Sequence, residues 1–477
     1  MMFLLAVATL PSGALAAPVE LTYEQALDVA SRKNPALRGA QADVNAADGA
    51  VLAARAPFEP QLTADTAYFS STSEGTAEFG NFFADTSGWR ASAGLAQTFS
   101  TGTSVSVDLS SSQNIFFYRL PDTGLEFTGD PQYQSTLAFT LSQALLEGHR
   151  LAWNLQAVRA AKGARSAAEA SRQTARQDAL ANTATAYWNV RTQLALVAIA
   201  EQTLSVSEEQ HRVVLALVEG GRLAPVEATR AEAAKVQAER ALIDAQSAHA
   251  AAQDTLLLLL GERPGQEVVV LSNPEEPAPL GLDADAVVER VLQGNPQLLG
   301  ARVALDTRRT ALANARHGLL PALSASGSYA LRGYETDLAG SFAELGRGEL
   351  PEWSLGATLT LPLFNRSDRG ALAQAEADVA SAEIDLVTLE GTLAQQARAQ
   401  VRTLEAASRY VALASLNVKL AEETLAAERA RLDEGRALQK DVITAIKDLD
   451  AGRVEAERAR AAWQDALVAL RRLEGRL

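Results

Sequence analysis

The sequence predicts a mainly α-helical chain with an antiparallel β portion, built twice from one plan. Three observations predict it. Residues 21–68 align without a gap onto residues 282–329 at a constant offset of 261, which pairs Asn34-Pro35 with Asn295-Pro296, Pro60 with Pro321 and Tyr68 with Tyr329. Two stretches, Arg150–Glu219 and Arg369–Glu434, hold no proline and almost no glycine. Between the repeated segment and each of these stretches, apolar and polar residues alternate with period two. A repeat has to be settled before any motif is read. Here it points to a tandem duplication whose function lies in an assembled shape.

The chain opens with MMFLLAVATLPSGALAAPVE. The apolar run Met2–Leu10 and the small-x-small Ala14-Leu15-Ala16 predict a signal peptide over residues 1–16, although no Lys or Arg precedes the run. The first repeat then covers residues 17–260 and the second residues 282–477. In each, a short amphipathic helix (Tyr23–Lys33, Asp283–Gln293) stops at Asn-Pro, because proline disfavours the α region for the residue before it. A second helix follows, Ala36–Ala56 or Gln297–Gly318, and runs into Pro57 and Pro60 or into Pro321.

Strands come next. Leu323, Ala325, Gly327, Tyr329 and Leu331 fall on one parity and Ser324, Ser326 and Ser328 on the other. Trp353–Leu361 repeats the pattern, as do Tyr133, Leu137, Phe139 and Leu141 in the first copy. Trp89–Phe99 and Val105–Leu109 form a further pair joined at Ser100-Thr101-Gly102-Thr103. One apolar and one polar face suits a membrane barrel, whose strands run about 9–11 residues, and it equally suits a soluble sandwich.

The long stretches discriminate better. As helices they would each be roughly 100 Å long, and their partners Ala224–Leu260 and Leu438–Leu473 about 55 Å. Leu386, Leu389, Leu393, Ala397, Val401 and Leu404 form a seam at spacings of three and four, the grammar of coiled coils. An isolated hairpin of this length would leave much of its apolar surface wet, so it calls for neighbours from the other repeat and from other subunits. The segment 261–281 is a linker whose prolines and glycines forbid continuous helix, with room for one short strand at Val268–Leu271.

Composition narrows the function. With no cysteine there is no disulfide framework, thiol catalysis, thiolate metal site or lipoprotein anchor. A formal charge of −15 argues against nucleic acid as a partner, since phosphate binding needs clustered Lys and Arg. The four histidines, His149, His211, His249 and His317, make no metal-ligand spacing, and no nucleotide, hydrolase or metalloprotease motif is present. No enzymatic activity, metal or cofactor is expected. No stretch is apolar for 18 or more residues, so no transmembrane helix is expected either.

At this point the chain resembles the TolC-like outer-membrane efflux family over essentially its whole mature length. The resemblance rests on the duplicated helix–Asn-Pro–helix–Pro–strand unit and on Ala186-Tyr187-Trp188-Asn189 in the first long helix. It rests also on the strand-to-helix joints Leu145-Leu146-Glu147-Gly148 and Leu361-Pro362-Leu363-Phe364-Asn365. The last elements are the hairpin turns that begin at Gly221-Arg222 and Gly435-Arg436. The resemblance implies a homotrimer: duplicated helical hairpins form a coiled-coil tunnel across the periplasm, and the strands form one shared antiparallel barrel in outer-membrane lipid. It implies a periplasmic adaptor protein and an inner-membrane transporter docked at the tunnel tip, around Gly221, Arg222, Gly435 and Arg436. The duct would serve efflux or type I secretion and do no chemistry.

The family carries an acidic residue six positions after the glycine of each turn, which here falls on Glu227 and Asp441. Threefold symmetry would gather three Asp441 carboxylates into a ring that attracts cations; the plainer role for both acids is to complement a helix dipole. Three departures stand out. Thr444 sits where some members carry a second acid, and Leu432 and Ala437 replace a tyrosine and an arginine that latch the tip in the best-known members. The first copy reads as four strands and the second as two, where the family's two and two give twelve in the trimer. The extra hairpin around Gly102 would either enlarge the barrel or project from it. The competing reading of the whole chain is a periplasmic coiled-coil structural or adaptor protein. That reading explains the long helices and leaves the doubled strand regions without a role.

Overall fold

The computed structural model describes residues 19–77, 80–120, 124–273, 281–434, 436 and 439–477. The candidate signal peptide therefore lies outside the described residues. In the first copy, β1 (Val19–Leu21) leads through an N-cap at Thr22 into α1 (Tyr23–Lys33) and α2 (Pro35–Ala53). There follow β2 (Gln61–Ala77), β3 (Gly80–Thr98), β4 (Thr103–Leu120), β5 (Leu125–Thr128) and β6 (Gln132–Ala144). A single turn, α3 (Leu151–Asn154), precedes α4 (Gln156–Glu219), whose 64 residues run about 96 Å at ~1.5 Å each. The first copy ends with α5 (Pro225–Leu259).

After β7 (Val268–Val270), the second copy runs α6 (Ala284–Gly294), α7 (Pro296–His317), β8 (Ala322–Glu335), α8 (Leu338–Arg347) and β9 (Leu350–Thr360). It closes with α9 (Arg366–Asp433) and α10 (Gln439–Leu473).

The chain divides into two compact units, each drawing on both copies. One takes the residues up to Val44 together with Ala168–Ala301 and Asp385–Leu477. Its described residues form three buried clusters, two of them of like design. In the first, Ala26 and Ala30 of α1 pack with Ala184, Tyr187 and Val190 of α4 and Leu256 and Leu257 of α5. In the second, Val287 and Val291 of α6, which stand at the 261-residue offset from Ala26 and Ala30, pack with Leu393, Ala397, Val401 and Leu404 of α9 and Trp463 of α10. The seam expected from spacing is thus the buried stripe of α9, with Leu386 and Leu389 partly buried beside it.

The Asn-Pro joints do the same work twice. Asn34 donates from Nδ2 to the Leu259 carbonyl (2.8 Å) and accepts at Oδ1 from the Ala36 N–H (2.9 Å). Asn295 donates to the Leu473 carbonyl (3.1 Å) and accepts from the Gln297 N–H (2.9 Å). Each asparagine closes one helix, caps the next and ties both to the end of a hairpin. The proline after it occupies the first position of the new helix, where its missing N–H costs nothing.

The other unit, Asn45–Ala167 and Arg302–Ile384, contains the main sheet, antiparallel in the order β2-β3-β4-β6-β8-β9. β5 continues β6 along β4. Between Phe117↔Thr128 and Asn114↔Gln132, three residues (Gly129, Asp130, Pro131) face two (Ile115, Phe116), a one-residue bulge that accommodates a proline within a strand. Among the described residues β2 and β9 end the order and are not paired with each other, so the sheet as described within one chain is open.

Candidate functional site

The two hairpin turns share one backbone hydrogen bond. In the first, Gly221 takes φ +68°, and the Arg222 N–H reaches back to the Leu217 carbonyl (2.8 Å). This is the left-handed helix stop that glycine adopts without a Cβ clash. Pro225 then opens α5. In the second turn Gly435 lies outside the described residues, as does Ala437. The Arg436 N–H reaches the Arg431 carbonyl (2.8 Å), the same bond at the equivalent position.

Glu227 lies in the first turn of α5 and pairs with Arg230 three residues on (2.7 Å). Asp441 lies in the first turn of α10. It lines an open cleft of about 310 Å³ with Glu428 and Arg431 of α9, Arg436 of the turn, and Thr444 and Asp448 of α10. Arg436 pairs with Glu434 (3.1 Å) and Arg431 with Glu428 (2.8 Å). The cleft thus brings together Asp441 and Arg436; Glu227 and Arg222 belong to the other turn.

The sheet supplies a second functional surface. By register, one face carries Leu62, Ala64 and Tyr68 of β2, opposite Leu95, Ala93 and Trp89 of β3. The same face continues through Val105, Val107 and Leu109 of β4, and Leu141, Phe139 and Leu137 of β6. It ends on Tyr329 and Leu331 of β8, and Leu359, Leu355 and Trp353 of β9. The opposite face reads Thr63 and Asp65, Ser92 and Arg90, Ser106, Asp108 and Ser110, Thr140 and Thr136, Ser328 and Ser324, Ser354 and Thr358. Most of the large residues on the apolar face are exposed, from Val105 at 37% to Leu62 and Leu355 at 79%. In water such a face would be untenable; against lipid it is the expected surface. Where β3 begins and β4 ends, aromatic residues stand on both faces: Phe83 and Phe117 keep to the apolar face. Phe82, Phe116, Tyr118 and Phe127 group on the opposite face, with Tyr118 and Phe127 stacked at 5.0 Å.

Several working residues gave no sequence signal. Asn154 donates from Nδ2 to the carbonyls of Ser100 (3.0 Å) and Gly148 (2.7 Å), tying the β3–β4 turn to the strand-to-helix joint. His149 and His317, 168 residues apart, bring their rings to 5.5 Å, with Trp153 edge-on to His317. Among the described residues no group of three or more His, Asp or Glu is disposed to hold a metal ion, and no helix is long and apolar enough to cross a membrane.

The family described as "Outer membrane efflux protein" matches residues 26–262 and 287–476. Outer membrane protein TolC of Vibrio cholerae is 26% identical over 195 residues, 41% of this chain and 44% of that protein. Outer membrane protein OprJ of Pseudomonas aeruginosa is 28% identical over 232 residues, 48% of this chain and 46% of that protein. The match thus spans about half the length of these curated relatives. The crystal structure of the Campylobacter jejuni CmeC outer membrane channel superposes with a TM-score of 0.70, covering 95% of this chain and 85% of that one at 15% identity. That likeness is one of fold. The family match covers both copies and nearly the whole described chain, and on that ground the chain belongs to the outer membrane efflux protein family.

Proposed function

We propose that this chain is the outer-membrane exit duct of a tripartite efflux or type I secretion system. It conducts substrate passively across the periplasm and the outer membrane. The observation that carries the reading is the union, in one member of this family, of an apolar-faced antiparallel sheet with helices of about 96 and 102 Å. A sheet with lipid on one face and solvent on the other suits a pore wall, and the helices are long enough to line a duct.

In this reading residues 1–16 are a signal peptide, and the repeats 17–260 and 282–477 are joined by the linker 261–281. Three chains close their open sheets into one barrel, and their hairpins form the tunnel. A periplasmic adaptor and an inner-membrane transporter engage the turns at Gly221, Arg222, Gly435 and Arg436. Asp441 from each chain forms the acidic ring of the constriction, and Glu227 contributes charge beside it. Selection of substrate rests with the transporter, and the duct tolerates many cargoes.

Planar-bilayer recording tests the ring. Asp441→Asn should lower the preference for cations over anions severalfold, because a ring of three negative charges is removed. An unchanged preference would remove Asp441 from the constriction.

A further inference from the structure

The extra hairpin has a definite place. β8 corresponds to β2 by the repeat offset, Leu323 to Leu62 and Tyr329 to Tyr68. β9 and β6 each lead into a strand-to-helix joint. The additional strands of the first copy are therefore β3 and β4. They do not stand beside the sheet; they are inserted in it. β3 pairs with β2 from Gln61↔Ala96 to Ala77↔Gly80, and β4 pairs with β6 from Thr103↔Gln143 to Asn114↔Gln132. Among the described residues β2 and β6 touch only through this hairpin.

Two further observations fix β3 and β4 as wall. Their apolar face is in phase with that of the other four long strands, so a membrane that covers Leu62 and Leu141 also covers Leu95 and Val107. Their turn is also built into the rim. Gly102, at φ +77°, lies so close to the Gly148 carbonyl that a Cβ there would be 2.2 Å from it, and its own carbonyl accepts from the Ala144 N–H (3.0 Å).

Six long strands is an even number, so β2 and β9 run in opposite directions. Placing β9 of one copy beside β2 of the next continues the antiparallel alternation without a break. These two edges also leave their apolar side chains most bare, Leu62 and Leu355 among them. A strand edge cannot be left unpaired in lipid, because its N–H and C=O groups find no water there.

We propose that the membrane barrel of this protein has eighteen strands, six from each of three copies, in place of twelve. This rests on the trimeric reading above. At ~4.8 Å between strands and ~40° tilt, twelve strands close at a backbone diameter of about 24 Å and eighteen at about 36 Å. The outer-membrane segment is then about half as wide again, and its enclosed cross-section roughly double. Such a segment would pass cargo bulkier than a twelve-stranded exit admits, leaving size selection to the constriction formed by the helices.

Single-particle cryo-electron microscopy of the full chain in lipid nanodiscs tests this directly. The expected map is threefold, with an eighteen-stranded wall about 36 Å across and β9 of each copy hydrogen-bonded to β2 of the next. A threefold particle with a twelve-stranded wall and β3–β4 outside it would overturn the strand count and leave the trimeric duct standing. A particle without threefold symmetry would overturn the trimer and the strand count with it. A variant lacking residues 78–131, which joins β2 to β6, should give a threefold wall about 24 Å across; a width unchanged from the parent would contradict the proposal.

Discussion

Tyr187 is fully buried, and its hydroxyl is used in both directions. It donates to the Leu21 carbonyl and accepts from the Ser272 N–H, both at 3.0 Å. One side chain on α4 thereby ties β1 to the segment that follows β7, and Tyr23 packs against it and Trp188. Tyr187→Phe keeps the ring but strips the partly buried Ser272 N–H of its acceptor, at a cost of about 1–2 kcal/mol. The expected result is a thermal midpoint about 1–2 °C lower; an unchanged midpoint would mean that water replaces the hydroxyl. The Ala-Tyr-Trp-Asn run was visible in the sequence as a family mark, but its bond partners lie far off in the chain and no local pattern announces them. Asn34 and Asn295 were legible as helix stops because Asn-Pro is a local signal. Their bonds to Leu259 and Leu473 were not, since those depend on where the hairpins return.

At the scale of elements, periodicity was a good guide to the long helices and the alternating strands, and poorer at their ends. The helix expected from Arg150 begins at Gln156, after the separate turn α3 that Asn154 fixes through its bonds to the rim. α8 was not foreseen. Its ten residues include Gly340 and Gly346, and what secures it is packing, with Ser341 buried against Gly333 of β8 and bonded to Ser135 of β6 (2.8 Å). The short strand expected at Val268–Leu271 forms as β7, in parallel with β1.

The packing of α10 also carries a pH dependence. Burial raises the Asp450 carboxyl above its ordinary value, against the opposing effects of a hydrogen bond with Thr203 and the charge of Arg453. Burial likewise raises Asp465 against a bond with Thr185. The folded chain therefore holds these protons more tightly than the unfolded chain. That stabilisation is present below the ordinary carboxylate range and is lost as pH rises through the raised values. A variant carrying Asp450→Asn and Asp465→Asn should melt higher than the parent at pH 7, by about 1–2 °C. The gap should shrink as pH is lowered; a gap that is constant or grows towards acid would contradict this account.

For the whole molecule, the sequence repeat and the compact units are different divisions. The repeat cuts the chain once, near the linker, whereas each unit gathers segments from both copies. Duplication could be read from the offset of 261 because it preserves local residues; the grouping could not, because it arises from contacts between copies. The candidate site was legible to the same degree. The turns at Gly221 and Gly435 and the acids Glu227 and Asp441 were singled out through the family resemblance, whereas the cleft joining Asp441 to Arg436 needed the return of α10 along α9.

The central claim is that this chain works as a shared outer-membrane duct, and the mass of the extracted particle tests it most directly. Outer membranes would be solubilised in mild detergent and the protein mass measured by light scattering with the detergent subtracted. The account predicts a particle of three times the mass of the single chain, released only by detergent. A monomer or dimer released by osmotic shock would contradict it and leave a periplasmic coiled-coil protein in its place.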